Sequence, residues 1–101
     1  STIKFFSVLF SMSGQLKLSK IFYVDPKLLP TPIIRKHATT YYRQHLKADI
    51  FSNGFDSKRP IIVRLRTNTD TARIADGNHR LAIALELKLD HVPVRFEYQK
   101  Q

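Results

Sequence analysis

The chain has 101 residues, 43% of them hydrophobic and 11% aromatic, enough for one domain with a single modest core and too apolar for intrinsic disorder. Seventeen Lys and Arg against eight Asp and Glu give a formal charge of +9; such a field gathers polyanions and makes nucleic acid the first partner to consider, ahead of an anionic membrane or an acidic inhibitor protein. The absence of cysteine excludes disulfides, thiolate metal sites and cysteine nucleophiles.

Ile3 to Met12 is apolar but interrupted by Lys4, Ser7 and Ser11 and is too short to cross a bilayer, so no transmembrane segment is expected. Ile3–Phe10 reads as a core strand apolar on both faces. A first residue of Ser rather than Met suggests a processed or excised fragment, although a tag remnant would look the same. Ser11–Gln15, centred on Gly14, reads as a turn. Leu16–Val24 alternates, with Leu16, Leu18, Phe22 and Val24 on one face, so the first two strands are expected to form a hairpin. Asp25-Pro26 is a helix-start signal that Pro30 and Pro32 limit to about one turn.

From Ile33 to Phe51, apolar residues recur at Ile34, Ala38, Tyr41/Tyr42, Leu46 and Ile50. The spacing predicts a helix closed by Asn53-Gly54. Thr39-Thr40 weakens its middle, so two shorter helices are the alternative. The segment carries Arg35, Lys36, His37, Arg43, His45 and Lys47, a wet basic face. His37 and His45 lie about two helical turns apart, so at most one is expected at a common pocket. Ile61–Arg66 reads as a strand, Thr67–Asp70 as a hairpin turn and Thr71–Ala75 as the return strand.

Ile74-Ala75-Asp76-Gly77-Asn78-His79-Arg80-Leu81 then reads as strand, tight turn, helix. Leu81, Leu85 and Leu89 form the buried stripe of that helix. The turn presents unpaired N–H groups and the positive end of a helix beside a glycine, which suits a phosphate. Asp76 is expected as helix N-cap or as an acid/base group. His79 and Arg80 precede the stripe and are expected to add little to the core. Val92–Tyr98 alternates as a closing strand, and Pro93 predicts a free or lightly paired side. The order ββ-α(α)-ββ-α-β describes one α+β domain over residues 1–101, with helices packed on a mixed sheet.

Ile50 to Phe55, Arg59-Pro60-Ile61-Ile62-Val63, Asp76-Gly77-Asn78-His79-Arg80 and Val92-Pro93-Val94 resemble the ParB/sulfiredoxin-like superfamily. There a helix ending in an "xxGF" turn precedes a "P-I-x-V" strand, a hairpin, a "DGxHR" turn and a "VPV" strand, and the likeness spans about Ile21 to Tyr98. The resemblance implies a small mixed-sheet fold and a second ligand segment at Pro30-Thr31-Pro32…Arg35. It also brings Thr31, Arg59 and Arg73 into the phosphate- or nucleic-acid-binding set. The superfamily includes CTP-binding partition proteins, sulfinic-acid reductases, free-amino-acid kinases and nucleases, toxin domains among them. Sulfiredoxins need a Cys where this chain has Asn78, so that activity is excluded. Partition proteins carry further arginines where Asn78, His79 and Ala82 stand. Kinase-like members need an acidic base, for which Asp25 is the candidate outside the motif. A nuclease of toxin or effector type fits a small, very basic domain best.

Cleaving a phosphodiester needs a base, an acid and positive groups around the phosphorus. His79 would be the base or acid, and Arg80 and Arg35 would clamp phosphate oxygens while Gly77 and Asn78 offer N–H donors. Asp76 would orient His79 or hold a divalent cation such as Mg2+, the one metal ligand expected. The alternatives are a non-catalytic module that binds DNA, RNA or a nucleotide with the same turn, and a nucleotide-dependent phosphotransferase. An acidic immunity protein is a further expected partner. The site of action is expected to be cytoplasmic, reached as a fragment of a larger secreted protein.

Overall fold

The computed structural model describes residues 15–34, 40–66 and 68–100. Strands β1 (Gln15–Leu18) and β2 (Phe22–Val24) lead through a single 3-10 turn (Pro26–Leu28) to helix α1 (Thr40–Asn53). Strands β3 (Ile61–Arg66) and β4 (Thr71–Asp76), helix α2 (Asn78–Glu86) and strand β5 (Val92–Lys100) follow. The result is an α+β fold with a mixed five-stranded sheet in the order β1-β5-β3-β4, β2 also pairing with β5. The expected strand Ile3–Phe10, the turn before Gln15 and the proposed first hairpin lie outside the described residues.

The segment read as one strand from Leu16 to Val24 is two short strands on the same partner. Leu18 pairs with Glu97 and Phe22 with Val94, four steps on one side against three on the other, so one extra residue is accommodated between them. Ser19 fastens the irregularity. Its N–H donates to the Phe96 carbonyl at 2.8 Å, its Oγ accepts from the Phe96 N–H at 2.8 Å, and its carbonyl accepts from Arg95 Nε at 2.7 Å.

β5 is central, antiparallel to β1 and β2 and parallel to β3, which corrects the expectation that Pro93 marks a free side. Pro93 is buried and stands second in β5, one residue ahead of the Ile61–Val94 pair that opens the parallel register. A missing donor costs the ladder least there.

Ile61, Val63, Ile74, Val92 and Val94 from the sheet and Leu81 and Ala84 from α2 form the core, each strand presenting alternate residues to it. Leu89 packs against this core but is not in the helix. α2 ends in a Schellman-type turn: Lys88 adopts φ 56°, and the N–H groups of Lys88 and Leu89 donate to Leu85 and Ala84 at 3.2 and 3.0 Å. Leu89 is the apolar contact such a turn places against the preceding helix.

The described part of α1 runs from Thr40 to Asn53. Ile33 and Ile34 are non-helical, and residues 35–39, Arg35 and His37 among them, lie outside the described residues. The far end is as expected: Gly54 takes φ 78° and its N–H donates to Ile50 at 2.9 Å. α1 rests chiefly on α2, where Arg43 and Lys47 meet the Glu86 carboxylate at 2.9 and 3.1 Å.

Lys47, by hydrogen bond and by charge, and then Arg43 hold the Glu86 carboxyl below its ordinary value of 4.5, partial desolvation opposing them. A depressed folded value adds stability that is present above 4.5 and is lost as pH falls through the lowered value. Glu86→Gln is expected to lower the melting temperature at neutral pH slightly, by no more than about 0.5 kcal/mol given the exposure of the pair. The difference from wild type should shrink as the pH of the scan falls below 4.5 and disappear once it is below the lowered value.

Candidate functional site

β4 carries one extra residue just before the site. Ile62 pairs with Asp76 and Val63 with Ile74, so Ala75 is a bulge. Strict alternation from Ile74, which is buried, would aim Asp76 at the same core face. The bulge turns it outward instead, and its side chain is 71% exposed. Asp76 is therefore the last strand residue and not the helix cap that was expected. The cap is Gly77, at φ 101° with no side chain to bond the first turn, which leaves the N–H groups of Asn78, His79 and Arg80 without intrahelical partners.

A cleft of about 240 Å³ lies over this turn, lined by Ile33, Tyr42, Arg59, Ala75 and the run from Asp76 to Arg80. His79 faces Tyr42 edge-on, ring centroids 5.6 Å apart at 85°, and its Nδ1 is enclosed with no hydrogen-bond partner among the described residues. Asn78 reaches away from the cleft floor, its Oδ1 accepting from the Ile33 N–H at 2.9 Å. That bond pins the strap after Pro32 across the helix start.

Arg80 is the main departure from expectation. It is only 9% exposed, where the sequence pattern put it outside the core. Its Nη1 donates to the Arg59 carbonyl, its Nη2 lies 3.4 Å from Asp76 Oδ2, and its Cζ stands 5.9 Å from the centre of the Phe55 ring. Burial lowers its pKa from the ordinary value, Asp76 pulls the other way, and Arg59 adds to the depression. It remains a cation at any physiological pH. Gly77 is required by the same arrangement. A Cβ on it would stand 3.1 Å from Ile61 Cγ1, 3.2 Å from Arg80 Nη2 and 3.3 Å from Ile61 Cα, on a backbone that L side chains rarely adopt.

Of the expected site residues, Asp76, Gly77, Asn78, His79, Arg80 and Arg59 meet in the cleft. Arg73 lines a neighbouring groove. Thr31 is exposed and does not line the cleft, and Arg35 lies outside the described residues. Asp25, the candidate kinase-type base, caps the 3-10 turn through the Lys27 N–H at 2.9 Å and sits beside Leu85, Lys88 and Asp90 at the other end of α2. His45 lies against Tyr41, 4.1 Å between ring centres, and does not reach the cleft. Tyr42 and Ile33 were missed. Ile33 had been read as the start of the helix and Tyr42 as one of its apolar positions; with Ile33 outside the helix, both line the cleft over the turn.

Asp76 is the one carboxylate lining the cleft, and no group of three potential metal ligands exists among the described residues. A divalent ion held there would keep most of its water. No helix among the described residues is long and apolar enough to cross a membrane. Compared with protein-family models and with curated proteins, the chain matches none.

Arg80→Ala is expected to destabilise the fold by about 1–3 kcal/mol, because the Arg59 carbonyl loses its donor and Asp76 its partner. Gly77→Ala should cost a similar amount through backbone strain and the contact with Ile61. Urea unfolding measures both, and an unchanged midpoint for Arg80→Ala would show that its buried contacts carry no stability.

Proposed function

We propose that the chain is a nucleic-acid phosphodiesterase of ParB/sulfiredoxin-like type whose active site is the cleft over the β4–α2 turn. The observation that carries the reading is the convergence, from β4, α2 and the lead-in to β3, of His79, Asp76 and Arg59 at the start of a helix whose first N–H groups are unpaired. A phosphate seated there takes those N–H groups and the Arg59 side chain. His79 moves the proton. With Nδ1 enclosed, Nε2 is the ring nitrogen a substrate can reach, and Asp76, exposed at the cleft, would hold a hydrated magnesium ion that neutralises developing charge. The net charge of +9 concentrates a polyanionic substrate around the domain.

The commitment of Arg80 to internal partners favours a second reading, a module that binds DNA, RNA or a nucleotide without cleaving it. The two readings part on one experiment. Purified protein is incubated with circular plasmid and with total RNA, with and without magnesium, and shortening of either is expected. His79→Ala should slow that shortening by about 10²–10⁴-fold while most of the affinity is retained. If the wild-type protein retards the polymers yet leaves them intact, hydrolysis is ruled out and binding alone stands.

A further inference from the structure

On the far side of the Asn78–Ile33 bond from the cleft lies a second groove of about 310 Å³, lined by Ile33, Arg64, Arg73, Ile74, Ala75 and Asn78. Ile33, Ala75 and Asn78 are common to both hollows, so the two adjoin across the Ile33–Asn78 hydrogen bond. The floor of the second hollow is electrostatically unbalanced. Arg64 and Arg73 are directly opposite each other on β3 and β4, a like-charge pair that destabilises a sheet unless something compensates it. Glu97, opposite Arg64 on the other side, pairs with Arg64. The Arg73 side chain has no hydrogen bond or ion pair among the described residues, and exposed Arg66 extends the positive row along β3.

We infer that this groove seats a phosphate of a single-stranded nucleic acid whose neighbouring phosphate occupies the cleft, with Arg73 as the principal contact and Arg64 supporting it. The charge of the groove selects an anion, and its position beside the cleft selects one with repeated phosphates over a mononucleotide. The size of the hollows, about 240 and 310 Å³, suits a single strand. A flexible chain can dip past the Ile33 strap, whereas a duplex with a groove about 12 Å wide presents both strands as a stiff unit. The inference rests on the reading of the cleft as a nucleic-acid site and adds the direction in which the strand leaves it.

The test is fluorescence anisotropy with a labelled twelve-nucleotide single strand, titrated at several salt concentrations on wild type, Arg73→Ala and Lys27→Gln. Lys27 is a cation at the opposite end of α2, so its variant controls for net charge. Each phosphate neutralised on a single strand contributes about 0.7 to the slope of log affinity against log salt. Arg73→Ala is expected to flatten the slope by about 0.7, so that its affinity falls roughly threefold less than that of wild type between 50 and 200 mM salt. Lys27→Gln should keep the wild-type slope, and a duplex of the same sequence should bind more weakly than the single strand. If wild type binds the strand but Arg73→Ala has the same slope, or if the duplex binds as well, the groove is not a strand path while the cleft reading survives. If wild type does not bind the strand at all, both fall.

Discussion

Taking an arginine out of water costs several kcal/mol unless its charge and its N–H groups are met inside the protein. Arg80 is met on three sides: by the Arg59 carbonyl ahead of β3, by the Asp76 carboxylate at the end of β4, and by the ring of Phe55 after α1. These groups come from two stretches of the chain, Phe55 to Arg59 and the residue four before Arg80 itself, and one guanidinium holds them to the first turn of α2. Gly77 leaves the space through which that guanidinium passes, and the Ala75 bulge supplies Asp76 at the correct face. The shape of the cleft is thus fixed from beneath before any ligand arrives. Its floor is a balanced ion pair, and its outward positive character comes from the helix start and from Arg59.

Much of this was legible because turn chemistry is local. Asp25-Pro26, Asn53-Gly54 and Asp76-Gly77 each mark an element boundary where the residue type answers a backbone need; the first two are where that chemistry puts them, and the third is displaced by one residue, with Gly77 and not Asp76 capping α2. Strand alternation in Ile61–Arg66 likewise carried over directly to its buried and open faces. What failed was what depends on partners. The extra residues at Ser19–Ile21 and at Ala75 exist only relative to the strand opposite, so a single-strand pattern read them as regular. Pro93 was read as an edge signal because its position relative to the start of β3 is a fact of the sheet. Arg80 looked solvent-facing because polarity was taken as exposure, whereas a carbonyl, a carboxylate and a ring arriving from elsewhere made burial affordable.

The same bulge explains why the candidate site sits at an edge of the sheet. β4 is outermost among the described strands, and an edge can absorb an extra residue without disturbing a second neighbour. The chain can therefore depart from β4 at an angle, start α2 over the core and leave the helix N-terminus open beside Arg59. An equivalent bulge in β3 would have broken pairing on both sides.

β5 is the partner of β1, of β2 and of β3, and it is the last of the described elements in the chain. During synthesis, the β3–β4 hairpin and α2 can form as they emerge, but among the described strands β1 and β2 pair only with β5, which emerges after all of them. The parallel β3–β5 register also requires the intervening hairpin and helix to be in place, which makes it a late, non-local step.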